Sequence, residues 1–215
     1  MSSTLICPHC TAELVKTEQR TFQCESNHSF DLSKEGYLNL LPVNKKKSKE
    51  PGDNELMIAA RREFLEEGNY DPLVASIKDL LTQELRFEKK DFLALDAGCG
   101  EGYYSEHALK KASAKAIVLG TDISKYAVKN AAKKYKNNLY FVSSIYNMPV
   151  ASDSMDVILS VFSPIKPTEF KRILNHKGFL IVVSPAENHM KQLAELIYNS
   201  FRPHEHKIVE EMPDS

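Results

Sequence analysis

The chain has 215 residues, with 28 basic and 29 acidic side chains, a formal net charge of -1 and 42% hydrophobic residues, an ordinary globular balance. No run approaches the roughly 18 apolar residues of a membrane helix, no basic stretch leads into an apolar block at the front, and four cysteines in this length do not make a disulfide scaffold. The expectation is a cytoplasmic protein with no membrane contact, whose affinity for nucleic acid, if any, rests on local patches rather than a global field.

The first chemical signal is "LICPHC", followed by "FQCESNHSF". Cys7, Cys10, Cys24 and His28 form the pattern C-x2-C-x13-C-x3-H. Three thiolates and one imidazole can close a tetrahedron around zinc, and soft ligands favour zinc over harder cations. Four protein ligands leave no open position, so the expected role is structural. A thioredoxin-like redox pair is the rival, but such a pair follows a strand in a larger fold, and this one stands at the front. His9 is an alternative fourth ligand. Thr11 to Phe22 reads as a hairpin with Leu14, Val15 and Phe22 as a small core, and the metal supplies most of the folding free energy of so short a unit.

Next come "DLSKEGYLNLLPV" and the polar "NKKKSKEPGDN", where Pro51-Gly52 signals a turn. The division expected is a zinc-binding unit over 1–36, a connecting segment with a basic cluster over 37–54, and an α/β domain over 55–215. Lys45, Lys46, Lys47 and Lys49 form the basic cluster, suited to phosphates, with Arg61 and Arg62 as helpers; a solvated linker is the bland alternative. Asp53 or Asn54 caps a helix through "ELMIAARREFLEE", with Leu56, Ala60 and Phe64 on one face. Asp71-Pro72 starts another, striped by Leu73, Ile77, Leu80 and Leu81.

From residue 92 the texture changes. "FLALDAG", "AIVLGTD", "LYFVSS", "MDVILSVF" and "GFLIVVSP" are short apolar runs, alternating with helical segments such as "SKYAVKNAAKKY", capped by Ser124. This alternation predicts a parallel sheet with helices on both faces. The first run leads into Asp96-Ala97-Gly98-Cys99-Gly100-Glu101-Gly102. A dinucleotide fingerprint needs glycine where Tyr103 stands. The pattern D-x-G-x-G-x-G instead resembles motif I of class I S-adenosylmethionine (SAM) methyltransferases. Asp122, at the end of the second run, suits the ribose hydroxyls. Two roles stay open for Asp96: contact with the methionine ammonium, or bracing of the loop. Cys99 reads as a small buried filler. Ser143, Ser144 or a backbone amide is placed beside the adenine, against an ordinary strand-end turn. The fourth run ends "SVFSP", where acceptors sit in this fold; Phe162 there is either a base-stacking ring or core.

The combination is similar to one family: the bacterial large-subunit (23S) rRNA guanine-N1 methyltransferases. The resemblance runs from Cys7 to Phe201 through the Cys7/Cys10/Cys24/His28 set, "KEGYLNLLPV", "PGD", "ARREFLEEGNY", "DAGCGEGYYS" and "ELIYNSF". It implies methyl transfer from SAM to N1 of a guanine in an rRNA hairpin, macrolide resistance in some members, and a homodimer. It also implies cofactor contacts by Tyr70, Tyr104, Ser105 and His189, beside Asp96, Gly98, Gly100, Gly102, Asp122 and Ser144. The fold class expected is therefore a Rossmann-like class I methyltransferase sheet plus a small N-terminal zinc unit. Such sheets usually end with two further strands after the fifth, and these are expected to be missing. No residue declares itself as the proton acceptor. The rivals are a small-molecule methyltransferase with a structural zinc module and a noncatalytic zinc adaptor.

Overall fold

The computed structural model describes residues 4–18, 20–43, 52–84, 91–189 and 191–198. At the front, β1 (Val15–Lys16), β2 (Thr21–Gln23) and β3 (Ser29–Asp31) form a three-stranded antiparallel sheet. Strand alternation buries Leu14 and turns Val15 outward, leaving it 56% exposed. Val15 is therefore not part of the small core expected for it.

A second, six-stranded sheet has the order β4-β7-β6-β5-β8-β9, with every described pairing parallel. Its strands are β4 (Tyr37–Asn39), β5 (Leu93–Ala97), β6 (Ile117–Asp122), β7 (Leu139–Val142), β8 (Met155–Val161) and β9 (Leu174–Val183). The five runs expected as strands are β5 to β9. The edge strand β4 falls in the segment expected to be a connector. Three residues are too short to show a period, but Tyr37 and Leu38 are both buried, one on each face of the sheet, and pair with Tyr140 and Phe141.

The helices are α1 (Glu55–Glu66), α2 (Asp71–Asp79), α3 (Lys125–Lys134), α4 (Pro167–Ile173) and α5 (Lys191–Tyr198). A wide π-type turn, Leu80–Glu84, extends α2, and a helix over 103–112 follows the glycine turn with a π-type centre at Ser105–Lys110. Asn54, not Asp53, caps α1, its side chain accepting from the Met57 N–H at 3.0 Å. Of the residues expected to share one face of α1, Leu56 is 81% exposed and Phe64 turns toward Tyr70, whereas Ile58 is 2% exposed. Arg62 and Leu65 follow Ile58 at helical spacing on the side that meets the sheet's loops.

Both faces of the parallel sheet are apolar and both are covered. On one, Leu38, Leu95, Leu119, Phe141 and Ile158 pack in a single cluster with Phe170 and Ile173 of α4 and with Leu5, Leu14 and Phe22 of the front unit. On the other, Ala94, Val118, Val157 and Leu159 meet Ile77, Leu81, Ala108 and Leu109. Tyr140 and Val142 there lie under Val128 and Ala131 of α3. The front unit thus supplies a layer that a helix would otherwise provide. It is tied on by backbone bonds from Ile6 N–H to the Pro149 carbonyl (3.0 Å) and from Ala151 N–H to the Thr4 carbonyl (2.9 Å).

Strand order reverses between β5 and β8, which opens a crevice at the carboxyl ends of these strands. Among the described residues no helix is long and apolar enough to cross a membrane. The lysine cluster 45–49 and the stretch 199–215, where further strands would fall, lie outside the described residues.

Candidate active site and metal centre

Two tight turns build the metal centre. Thr11 N–H donates to the Cys7 carbonyl at 2.9 Å, and Asn27 N–H donates to the Cys24 carbonyl at 2.9 Å. Thr11 and Asn27 both take left-handed backbone angles, φ 63° each, and so bend the chain back around its ligands. The His28 Nδ1 lies 3.5 Å from Cys7 Sγ and 3.4 Å from Cys24 Sγ, and Cys10 Sγ lies 3.6 Å from Cys24 Sγ. Bonds of about 2.3 Å to sulfur and 2.0–2.1 Å to nitrogen give a tetrahedron with edges of roughly 3.5–3.8 Å, so the four atoms fit the corners of a zinc site. Burial pushes the Cys7 thiol up, while the Ala12 backbone N–H foremost pulls Cys10 down to about 6. Among the described residues the ligand atoms that converge are those of Cys7, Cys10, Cys24 and His28; His9 stands outside this set, its ring between those of His28 (5.1 Å) and Phe30 (6.0 Å).

The second site begins where β5 ends. Gly98 N–H and Cys99 N–H both donate to the Thr121 carbonyl, at 2.8 and 2.9 Å, tying the turn to β6. Gly98 has φ +84°, and a Cβ on it would lie 2.4 Å from that of Ser163. Gly100 has φ +53°, and a Cβ there would meet no atom within 4 Å. Gly100 lines a cavity of about 580 Å³, so its missing side chain is open space within that cavity. The volume lies within the roughly 300–1,000 Å³ of small-molecule sites.

The cavity walls come from five parts of the chain. Gly52, Asp53, Arg61, Phe64, Leu65 and Tyr70 form one side; Gly98, Cys99, Gly100, Glu101, Tyr103 and Tyr104 form the floor. The strand ends add Asp122 and Ile123, then Ser144, Ile145 and Tyr146, then Val161, Phe162, Ser163 and Pro164. Asp122 accepts from Gly100 N–H at 3.0 Å and from Ser124 N–H at 2.8 Å, and its remaining lone pairs are available to hydroxyl groups. Burial raises its pKa. Asp96 lies behind the turn and is 1% exposed; it accepts from the Ser105 hydroxyl at 2.6 Å, and burial pushes it up to about 7.

Arg61 and Arg62 were expected to help hold phosphates, but both are engaged within the chain. Arg62 Nε donates to Glu101 Oε2 at 2.9 Å and its second nitrogen pairs with the other carboxylate oxygen, a fork that fastens α1 to the glycine turn. Arg61 pairs with Asp53, whose carbonyl accepts from the Ser124 hydroxyl at 2.9 Å. The lead-in to α1 is thereby held against the loop after β6, roofing the cavity. A planar nucleoside with a diol at Asp122 and a charged tail at the glycine turn fits this donor set, which is the chemistry of SAM.

Comparison with known proteins agrees with both sites. The family described as "RlmA, N-terminal", a zinc ribbon, matches residues 5–49, and the family described as "Methyltransferase domain" matches residues 95–182. The 23S rRNA (guanine(748)-N(1))-methyltransferase of Streptomyces fradiae is 32% identical over 205 residues, covering 94% of this chain and 70% of that protein. The chain belongs to the 23S rRNA (guanine-N1)-methyltransferase family. YxjB of Bacillus subtilis (strain 168), which carries the same activity provisionally in its name, is 33% identical over 195 residues, covering 89% of this chain and 68% of that protein. Among solved structures, the MccD protein matches with 26% identity and a TM-score of 0.47, covering 60% of this chain and 63% of that one. The chain is a SAM-dependent methyltransferase with a zinc ribbon at its front.

Within this family frame, the residues singled out in the sequence divide into three groups. Tyr70, Gly98, Gly100, Tyr104, Asp122 and Ser144 meet at the cavity. Asp96 and Ser105 lie behind its floor, bonded to each other, and Gly102 stands at the start of the following helix with φ +78°. His189 lies apart, in the exposed turn before α5 and not among the lining residues, because β9 carries the chain to the far edge of the sheet. Sequence reasoning missed Glu101, Tyr103 and Tyr146 as lining residues. Glu101 stood inside the quoted motif, but its role appears only with its partner 39 positions away.

Proposed function

We propose that this chain transfers a methyl group from SAM to N1 of a guanine in an unpaired loop of large-subunit ribosomal RNA. The observation that carries the reading is that one enzyme named for this reaction aligns across both the zinc ribbon and the methyltransferase domain, 94% of the chain. Within the chain, ribbon and sheet share one apolar cluster, so the two are a single working unit.

When bound, SAM supplies an electrophilic methyl on a sulfonium. The chain's residues do the rest: the glycine turn and Asp122 seat the donor, the α1 roof excludes water from one side, and the turn after β8 meets the acceptor. Orientation of this kind is worth up to about 7–11 kcal/mol in favourable cases. Methylation at N1 would release the N1 proton along with a neutral thioether, and the open mouth of the cavity would give that proton a path out. N1 is a pairing position, so the guanine must be unpaired or extruded, as loop bases are. Lys45, Lys46, Lys47 and Lys49 contact phosphates in this reading, the zinc ribbon adds a second RNA surface, and the enzyme works in the cytoplasm as a homodimer.

The test is incubation of unmodified 23S rRNA transcript with labelled SAM, followed by mapping of reverse-transcription stops. One blocked guanine is expected. Label entering a small acceptor but not RNA overturns the assignment in favour of a small-molecule methyltransferase; absence of SAM binding by calorimetry favours an adaptor.

A further inference from the structure

The cavity is ordered from one side to the other by the sheet. Ser144 and Ile145 follow β7, Asp122 ends β6, the glycine turn ends β5, and Val161 to Pro164 close β8. The β7 and β8 ends are three strand positions apart, roughly 14 Å at about 4.8 Å per strand. A nucleoside with its base at β7 and its sugar at Asp122 brings its tail to the glycine turn. The next wall is the turn after β8.

Phe162 dominates that wall. It is 45% exposed, and its backbone takes φ +52°, a left-handed angle that bulky side chains rarely adopt. The chain around it holds this geometry from both sides. Phe162 N–H donates to the Val183 carbonyl at 2.9 Å, and the Ser163 hydroxyl donates to the Ala97 carbonyl at 2.6 Å. Ser163 also occupies the space left by the missing side chain of Gly98. Val161 before it is buried in the core, and the left-handed bend takes Phe162 out of the strand's alternation to stand in the cavity. Tyr70 meets Phe162 in a T-shaped contact at 5.6 Å and 75°, an arrangement that leaves at least one ring face uncovered. A strained backbone that keeps an apolar ring exposed beside the donor seat is the signature of a ligand contact.

We infer that Phe162 is the platform on which the acceptor guanine stacks. The inference rests on the rRNA reading above and assigns its acceptor subsite. Stacking suits this reaction for a geometric reason. After the N1 proton leaves, the reacting lone pair lies in the plane of the base and points out from its edge. Contact with the face fixes the plane and leaves that edge directed at the β5 turn. Tyr70, braced in turn by Phe64 at 5.8 Å, holds the platform in position.

The test uses the full zinc-loaded chain with Phe162→Leu and Phe162→Tyr. Stacking on an aromatic ring is sequence-tolerant and its loss costs about 5- to 150-fold per base. Phe162→Leu is expected to lower kcat/KM on the transcript by about 10- to 100-fold within that range, with SAM affinity by calorimetry within about twofold of the parent. Phe162→Tyr is expected to restore turnover. The second readout is a transcript carrying 2-aminopurine at the mapped guanine. Its fluorescence is expected to stay quenched on the parent enzyme and to rise severalfold on Phe162→Leu, where the extruded base has no ring beneath it. Equal fluorescence and equal turnover for parent and Phe162→Leu overturn the platform, as does a parallel loss of SAM affinity, which would make Phe162 part of the donor seat. A parent enzyme that leaves the transcript unmethylated sinks the rRNA reading itself, and the platform with it.

Discussion

The zinc clasp and the donor seat are opposite solutions to holding a ligand. The clasp draws its four ligands from 22 consecutive residues and turns them inward; Cys7 is 0% exposed and packs in the same cluster as Phe141 and Ile158 of the sheet. The seat draws its walls from positions 52 to 164 and stays open. A closed site adds to the stability of the fold, whereas an open one must be shaped by the fold before anything binds. The contrast predicts that damage to the clasp spreads through the whole molecule, and that damage to the seat divides into effects on shape and effects on occupancy.

The largest effect expected is from metal removal. Leu5, Leu14 and Phe22 cover one face of the catalytic sheet, so loosening the clasp exposes Leu95, Phe141 and Ile158 together. Structural zinc is worth on the order of 10 kcal/mol in small domains. Even half of that, at about 2–4 °C per kcal/mol for a chain of this size, lowers the melting temperature by about 10 °C or more. Chelation, or Cys24→Ser, is therefore expected to give one cooperative transition at lower temperature, with SAM binding lost alongside it. Differential scanning calorimetry decides the matter. An early zinc-dependent transition followed by an unchanged main one would make the clasp an independent appendage and break the comparison.

A smaller effect separates shape from occupancy within the seat. Gly98→Ala drives a methyl group into Ser163 at a left-handed position, so the turn itself must move. Gly100→Ala is also left-handed, at a cost of about 1–2 kcal/mol, but its methyl group enters only open cavity. Gly98→Ala is expected to lower both stability and SAM affinity, the latter by about 100-fold, equivalent to about 2.7 kcal/mol. Gly100→Ala should weaken SAM by about tenfold or more while shifting the urea midpoint by under half as much as Gly98→Ala. Paired urea melts and SAM calorimetry distinguish them. Equal stability losses with unequal binding in the other order would assign the clash and the opening to the wrong glycines.

How much of this was legible in the sequence follows the same division. The clasp was readable because metal geometry constrains residue type and spacing locally. The glycine turn and Asp122 were readable because a strand end, a bend and an acid follow one another in the chain. Strand β4 was not, since three residues cannot display a period and their pairing partner Tyr140 lies more than a hundred positions away. The packed side of α1 is not marked by the face that Leu56, Ala60 and Phe64 share, since the helix is held by an ion pair from Arg62 to Glu101 and by Ile58. Likewise the outward turn of Phe162 depends on Val183, Ala97 and Gly98, which come together only in the folded sheet.

The least disruptive change tests whether the open site has a closed part of its own. Asp96 lies beneath the floor, 1% exposed, and its carboxyl is pushed up to about 7, mainly by burial. The ordinary unfolded value is about 3.9, so the folded chain binds this proton more tightly. Stability from Asp96 is then fully present below about pH 3.9 and is lost as pH rises through about 7, with a slope of at most about 1.4 kcal/mol per pH unit. Asp122, whose charge adds to the shift, is unchanged in the comparison, as are the half-buried Tyr104 and the buried Tyr140 near Asp96. Asp96→Asn keeps an acceptor for the Ser105 hydroxyl and removes the titration. Urea midpoints of zinc-loaded protein from about pH 5.5 to 8 are expected to fall with rising pH more steeply in the parent than in the variant, with the variant at least as stable at the alkaline end. Parallel curves would mean that Asp96 is ionised throughout and charge-compensated, and the floor of the donor seat would then be as open to solvent and counter-charge as the cavity above it.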